Sequence, residues 1–200
     1  MKAVEWKRLS KSPLSSVGGD WSWTRLMAYL SPVTWLLHGV LAEGSQFRSN
    51  EFYLWIVRAP LMVPTDGVVD LSWSRRLGGG SATFDPSEPA TSDAIAEAGR
   101  IALANAGRSA LALDVPNGTE NALMQEARAY SLLLGGYHGE ALDTLSGIQS
   151  ITATYAWESD LVRRASTIFS LVASGQADLA SEQLRRWRDE NCSALRLICD

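Results

Sequence analysis

One pattern of residues occurs twice in the second half of the chain, at an interval of 39 residues, from position 127 to position 166. The segments ARAYSLLLGGYHGEALDTL (127–145) and STIFSLVASGQADLASEQL (166–184) align without a gap. Identical residues face each other at Ser131 and Ser170, Leu132 and Leu171, Gly136 and Gly175, Ala141 and Ala180, and Leu145 and Leu184. Each copy is typical of a helix, a glycine turn and a second helix whose small alanine permits close packing. Two copies predict two stacked αα-hairpins.

Helical periodicity extends through the second half of the chain. Alanine and leucine recur at helical spacing, and glycines mark the expected helix ends at Gly107, Gly135 with Gly136, Gly147 and Gly175. The predicted helices cover about residues 91–106, 119–134, 139–146, 156–174 and 177–190. Thr91 or Ser92 is expected to cap the first of these helices.

The first half alternates turn formers with runs typical of strands. Three runs, VTWLLHGVLAEG (33–44), FYLWIVRAPLMV (52–63) and VVDLSWSRRL (68–77), are rich in Val, Ile, Trp and Tyr. They predict an antiparallel meander, with a turn at Pro64, Asp66 and Gly67. TRLMAYL (24–30) is interpreted as a short helix.

The predicted fold class is therefore α+β. An N-terminal antiparallel β-meander packed with helices (residues 1–85) is followed by a C-terminal α-helical region (residues 86–200). The helical region contains the αα-hairpin repeat at 127–145 and 166–184, and the whole chain is expected to pack as one unit.

The segment LGGYHGEAL (134–142) resembles the turn of a tetratricopeptide repeat. In that family a helix ends at Leu-Gly, an aromatic residue follows the turn, and an Ala-Leu pair packs the second helix. The interval of 39 residues departs from the usual interval of about 34. The resemblance implies two tetratricopeptide-like αα-hairpins and no particular ligand.

Residue patterns for catalysis and for cofactor binding are missing from the sequence. The segment SRRLGGGSATFDP (74–86) lacks the lysine and the following helix of a phosphate-binding loop, so it is interpreted as an exit from the sheet. Arg75 and Arg76 are expected on opposite faces of their strand. His38 and His138 are the only histidines, and neither lies in a nucleophile motif. The sequence therefore predicts no catalytic residue, no cofactor and no metal site.

Charge is divided unevenly along the chain. Residues 1–85 carry a net charge of +2 and residues 86–200 a net charge of −6. An acidic half disfavours nucleic acid as a partner and favours a basic protein. The predicted partner contacts are four helix carboxylates, an arginine beside the sheet and a tryptophan in the run RRWR: Glu140, Asp143, Glu158, Asp160, Arg76 and Trp187.

Two cysteines, Cys192 and Cys199, lie seven residues apart. On one helix this separation is about 10 Å along the axis, too far for a disulfide unless the helix unwinds. Two unpaired thiols indicate a reducing compartment, and the apolar runs are shorter than a membrane span. The predicted location is cytoplasmic.

The segment FYLWIVRAPLMVPTDGVVDLSWSRRLG (52–78) is similar to strand-turn-strand segments of small bacterial immunity proteins of polymorphic toxin systems. In these segments an aromatic-rich strand reaches Pro-Leu, a Val-Pro turn follows, and the next strand closes with Arg-Leu-Gly. The resemblance implies a cytoplasmic antitoxin, without enzymatic activity, that neutralises its toxin by occlusion. Two alternatives stay open. One is a scaffold or regulatory module whose αα-hairpins hold a peptide or a second copy of the chain. The other is an enzyme using His38 or His138 with Arg75 or Arg76.

Overall fold

The computed structural model describes residues 1–107 and 121–200. Within these residues the helices and strands are α1 (Ala3–Ser16), β1 (Trp21–Thr24), β2 (Met27–Leu30), β3 (Leu36–Gly44), β4 (Phe52–Pro60), β5 (Arg75–Arg76), α2 (Pro89–Ala106), α3 (Ala122–Leu134), α4 (His138–Gln149), α5 (Ala156–Ala173) and α6 (Ala177–Leu195). The α+β class is confirmed, because an antiparallel sheet in the N-terminal half precedes a helical region. Among the described residues, the helices are too short or too polar to cross a membrane.

The described residues divide into two compact units. The first unit comprises residues 1–59, 65–107 and 192–200, and the second comprises residues 60–64 and 121–191. This division differs from the boundary expected after residue 85. The reason is α2, whose Ile95, Ala98 and Ala102 share a core with the sheet.

The sheet carries its strands in chain order, from β1 to β5, as expected of a meander. One face of β4 contributes Phe52, Leu54 and Ile56 to the core of the first unit. Trp6 of α1 packs edge-on against Phe52, with ring centroids 6.2 Å apart. The remaining buried members of this core come from α1, β2, β3 and α2: Leu14, Ala28, Val40, Ala42, Ile95, Ala98 and Ala102.

The third predicted strand is much shorter than expected, because only Arg75–Arg76 pairs with β4. Hydrogen bonds to side chains replace the ladder before it. The Asp70 carboxylate accepts from the Ser72 amide at 2.8 Å, which favours a turn. The Ser74 hydroxyl accepts from the Arg58 amide of β4 at 3.2 Å, so a side chain takes the place of a backbone partner.

The turn expected after Pro64 is present. The Val68 amide donates to the Thr65 carbonyl at 3.0 Å. The central residues, Asp66 and Gly67, have φ of 50° and 75°, and aspartate and glycine tolerate this left-handed region best.

The short helix expected at TRLMAYL is wrong, because this segment forms the β1–β2 hairpin. Thr24 pairs with Met27 across a two-residue turn, and Arg25 has φ of 48°. The alternation of Trp21 and Trp23 with polar residues before the turn is the signal for a strand. Helix α1 was not predicted, since Pro13 and the serines conceal its apolar face.

The predicted second strand ends three residues early, at Pro60. Leu61 and Val63 are buried in the second unit, and their carbonyls accept from the Asn191 side-chain amide at 2.8 and 2.7 Å. These bonds satisfy buried backbone groups that no strand partner reaches.

The helical half follows the predicted segments closely. Helix α2 begins at Pro89, which suits the first helical position, so the expected cap at Thr91 or Ser92 is wrong. Gly147 lies inside α4 and does not end it. The predicted start of a helix at residue 119 lies outside the described residues, and α3 begins at Ala122.

The expectation of two free thiols is wrong, because Cys192 and Cys199 form a disulfide. Helix α6 ends at Leu195, and Arg196 has φ of 57°, so the chain reverses before it reaches Cys199. The Cα atoms of the two cysteines are 6.4 Å apart. A separation of about 10 Å holds only for a continuous helix, and α6 ends before Cys199.

Gly39 provides a test of the sheet. It pairs with Tyr29 of β2, and a Cβ at this position would overlap the Ala28 carbonyl oxygen. We expect Gly39→Ala to lower the free energy of unfolding by about 1–3 kcal/mol, measured by urea denaturation, because backbone atoms must move. Gly44→Ala, at the end of the same strand, meets no atom within 4 Å and is the matched control. Equal losses in both variants would contradict this pairing.

Candidate protein-binding surface

Two equivalent glycine turns position the second helix of each hairpin. Gly136 and Gly175 have φ of 82° and 78°, which glycine adopts without strain. In the first turn the Tyr137 amide donates to the carbonyl five residues earlier, at 2.9 Å, and in the second the Gln176 amide does the same at 2.8 Å. Helices joined by short turns run antiparallel, and α4 also contacts α5. The first turns of α4 and α6 therefore lie at the same end of the second unit.

A buried ion pair connects α3 with α5 in this unit. The Arg164 guanidinium donates to both carboxylate oxygens of Glu126, at 2.8 and 2.9 Å. The Tyr130 hydroxyl donates to the same carboxylate at 2.8 Å. Glu126 is fully buried, so these bonds replace the water that its charge has lost. We call these three residues the Glu126 network.

Burial and the charge of Glu126 both act on the pKa values of Tyr130 and Arg164. Burial raises the pKa of Tyr130 well above its usual range, and the negative charge of Glu126 raises it further. Burial alone would lower the pKa of Arg164, but its hydrogen bond and charge interaction with Glu126 outweigh burial and raise that pKa. Tyr130 therefore stays neutral and Arg164 stays charged in the folded protein near neutral pH.

Trp187, a predicted contact, is half-buried and packs on this network. Its ring lies 5.7 Å from the Tyr130 ring, at an interplanar angle of 43°. The side chain therefore has a packing role within the second unit, and only part of it reaches solvent.

Two of the four predicted carboxylate contacts are engaged within the chain. The Glu158 carboxylate accepts from the backbone amides of Thr154 and Tyr155, at 2.6 and 2.9 Å, at the start of α5. Asp160 accepts from Arg163 at 2.9 Å, and this hydrogen bond lowers the pKa of Asp160. Each carboxylate would have to give up its partner within the chain in order to bind another protein.

The other two predicted carboxylates, Glu140 and Asp143, are exposed on α4. Neither forms an ion pair with a residue that the structure describes. Glu140 lies in the first turn, where the helix dipole favours a negative charge. Asp143 lies beyond that turn, so it has no such local role.

Two exposed acids also lie near the start of α6, and neither was among the predicted contacts. Glu182 occupies the position of Asp143 in the second copy of the repeat, and Asp178 lies in the first turn of α6. Both are exposed and lack an ion pair among the described residues. The signal was available for Glu182, because the aligned repeat has an acid at both 143 and 182, whereas Asp178 aligns with Gly139.

Two apolar side chains accompany these acids at the same end of the unit. Tyr137 at the start of α4 and Leu179 at the start of α6 are each 49% exposed. We call the set the acidic patch: Tyr137, Glu140, Asp143, Asp178, Leu179 and Glu182.

Arg76, the predicted contact in the first unit, is held by the sheet. Its guanidinium lies 3.9 Å from the Tyr53 ring centroid and 4.7 Å from that of Trp55. It also pairs with Glu43 at 3.2 Å and donates to the Gly80 carbonyl at 2.9 Å. These contacts order the segment after β5, so Arg76 stabilises the exit from the sheet. Its neighbour Arg75 is exposed, as expected of opposite faces.

The histidines considered for catalysis lie in different surroundings. His38 is buried on β3 in the first unit, whereas His138 is exposed at the start of α4 in the second. Of the two arginines considered beside them, Arg76 already has the partners described above, and Arg75 is exposed on β5 of the first unit.

A cavity of 700 Å³ opens in the first unit beside α1 and the β3–β4 connection. Its carboxylates accept hydrogen bonds from residues nearby: Glu5 from Lys2, Glu51 from Thr83 and Arg48, and Asp85 from Ser87. Hydrogen bonds from Thr83 and Ser87 lower the pKa of Glu51 and Asp85. Glu51 and Asp85 therefore stay charged near neutral pH and are not poised to act as general acids there.

Comparisons of the chain with protein-family models, with curated proteins and with solved structures find no match. The two family resemblances in the sequence stay predictions. The candidate surface rests on the geometry of the described residues.

The Glu126 network can be tested by removing one charge. Glu126→Gln keeps the shape of the side chain but leaves Arg164 without its carboxylate partner, so we expect the free energy of unfolding to fall by about 3 kcal/mol in urea denaturation. Asp160→Asn removes an exposed ion pair on α5 and is the matched control. It should leave stability unchanged within error. Similar effects of the two variants would show that burial of Glu126 is unimportant.

The pH dependence of the network can be tested with Tyr130→Phe. Loss of the hydroxyl should lower the free energy of unfolding by about 1 kcal/mol at neutral pH. The folded pKa of Tyr130 is raised, so above pH about 10 the unfolded chain loses this proton first and wild-type stability declines. The phenylalanine variant lacks this decline, so the difference in free energy of unfolding between wild type and variant should narrow as pH rises further. A difference that stays constant with pH would contradict the assignment.

Proposed function

We propose that the protein binds another protein, and that it acts as an immunity protein that neutralises a bacterial toxin with a basic surface. The observation that carries this proposal is the acidic patch. Asp143 and Glu182 occupy equivalent positions of the repeat and are exposed without an ion pair among the described residues. Their charges are free to act on a partner.

The partner is expected to carry lysine or arginine opposite the patch. Exposed carboxylates attract such a surface over distances of about a Debye length and raise the rate of association. Arg185 and Arg186 lie further along α6 and are exposed. The attraction is therefore strongest at the first two turns of that helix.

Tyr137 and Leu179 supply a different contribution. Half of each side chain is exposed, so a partner that covers them removes apolar area from water. Burial of this kind slows dissociation, whereas the carboxylates speed association. Occlusion of the toxin needs both effects and requires no chemistry by this chain.

Four of the predicted contacts have a smaller part in the proposal. Glu158 and Asp160 bond within α5 and its approach, Trp187 packs on Tyr130, and Arg76 is stacked on the sheet. A partner could touch the exposed part of each, but Glu140 and Asp143 offer charge without breaking an existing bond.

A scaffold or regulatory module is the second candidate. The equivalent turns at Gly136 and Gly175 favour it, because stacked helical hairpins also hold peptides. The resemblance of LGGYHGEAL to a tetratricopeptide turn points in the same direction.

The predicted cytoplasmic location loses its main support. Two free thiols suggested a reducing compartment, but the cysteines are paired, and disulfides persist mainly in oxidising compartments. Occlusion of a toxin requires the same surface in either compartment.

The function can be tested by recovering the partner from the native host and expressing it with and without this chain. The immunity proposal expects a partner that stops growth when expressed alone and is harmless when co-expressed. A partner that is harmless alone would sink the immunity proposal and favour the scaffold.

The surface can be tested with that partner by charge reversal. Asp143→Lys combined with Glu182→Lys should slow association on the order of tenfold at low salt, with a smaller effect at high salt, in stopped-flow or surface-plasmon measurements. Asp93→Lys combined with Glu97→Lys, on exposed positions of α2, makes the same change of net charge and is the control. Equal effects of the two variants would mean that total charge, not the patch, attracts the partner.

A further inference from the structure

The last residues of the sequence fold back onto the sheet of the first unit. We call residues 196–200 the tail. After α6 ends, the Leu197 amide donates to the Cys192 carbonyl at 2.9 Å and the Arg196 amide to the Ser193 carbonyl at 3.1 Å. This reversal is the step that brings Cys199 within disulfide distance of Cys192.

Backbone hydrogen bonds attach the tail to Val33, which lies between β2 and β3. The Val33 amide donates to the Ile198 carbonyl at 2.9 Å, and the Val33 carbonyl accepts from the Asp200 amide at 3.2 Å. Val33 and Cys199 thus form a parallel bridge. The Ile198 amide also donates to the Tyr29 hydroxyl at 2.9 Å.

The reversal is unfavourable by itself. Arg196 has φ of 57°, and a residue other than glycine in this region costs roughly 1–2 kcal/mol. The tail is short, and Ile198 is 57% exposed, so little apolar burial compensates for this cost. The disulfide adds a covalent restraint to the hydrogen bonds of the tail, because it limits how far Cys199 can move from Cys192.

We propose that the Cys192–Cys199 disulfide is a redox-sensitive clasp that holds the tail over Val33 when oxidised and releases it when reduced. This inference does not rest on the proposed function. In an oxidising compartment the clasp stays closed, and on entry into a reducing compartment it opens.

The opening step is an exchange with a dithiol reductant. A thiolate of the dithiol attacks the sulfur of Cys199, which is half-buried, and Cys192 leaves as a thiolate and takes up a proton. The second thiolate of the dithiol then displaces Cys199, which is also protonated. Two electrons and two protons have passed to the protein, and the dithiol has become a disulfide.

Release of the tail exposes the backbone amide and carbonyl of Val33, which are hydrogen-bonded in the closed form. Val33 is 2% exposed in the closed form. Without the tail its amide and carbonyl lose the partners described above and face water or an extended segment of another chain, which could pair with them as the tail does.

The full chain with dithiothreitol provides the test. Thiol alkylation followed by mass spectrometry reports the clasp, and amide hydrogen exchange reports the tail. We expect both cysteines to become alkylated without denaturant. Exchange at Val33 and Asp200 should rise on the order of tenfold or more, while the amides of β4 stay protected. Cysteines that react only after denaturation, or a reduced chain with slow exchange at Val33, would overturn the proposal.

A variant that keeps both cysteines separates the disulfide from the other anchors of the tail. Tyr29→Phe removes one anchor of the tail and leaves the disulfide intact. In the oxidised variant we expect Val33 to stay protected, and after reduction we expect exchange to rise as in the wild type. Fast exchange at Val33 in the oxidised variant would show that the Tyr29 hydroxyl, and not the disulfide, holds the tail.

Discussion

The carboxylate of Glu126 has no access to solvent, so side chains of the helical unit must supply the hydrogen bonds that water cannot. A buried charge without partners costs several kcal/mol, so the bonds from Arg164 and Tyr130 stabilise the unit. Tyr130 lies on α3 with Glu126, and Arg164 lies on α5. The hydrogen bonds between Arg164 and Glu126 therefore restrain the distance between these two helices. Helix α4 contacts both of them, so its orientation is restrained as well. The acids on its exposed side therefore keep a defined position.

The helical half could be predicted well because its signals are local. A glycine in a left-handed turn and a small residue five positions later determine each hairpin, and both occur at a constant interval in the sequence. The Glu126 network could not be predicted in the same way. Glu126 and Arg164 are 38 residues apart, and nothing near Glu126 in sequence distinguishes it from an exposed helical acid. The pairing is set by how the hairpins stack, which residue spacing does not encode.

The sheet and the cysteines show features that neighbouring residues in the sequence do not determine. The run VVDLSWSRRL has the composition of a strand, yet the hydrogen bond from Ser72 to Asp70 offers the backbone a competing turn. For the cysteines, helical spacing does not apply, because Cys192 lies within α6 and Cys199 lies beyond its end at Leu195. Arg196 takes a conformation that its residue type disfavours, so no rule of composition predicts the reversal there. Residues distant in sequence contribute in both places, since Ser74 bonds to Arg58 and the tail bonds to Val33.

The acidic residues of the second unit look alike in the sequence, but they differ in burial and in bonding partners in the fold. Glu126 is buried, Glu158 and Asp160 have local partners, and Asp143 and Glu182 have none among the described residues. The last two recur at one position of the repeat, so stacking of the hairpins sets the distance between their charges. Under the proposed function, a partner that engages both must carry cations at a matching distance. The patch would then select the orientation of the partner in addition to raising its rate of approach.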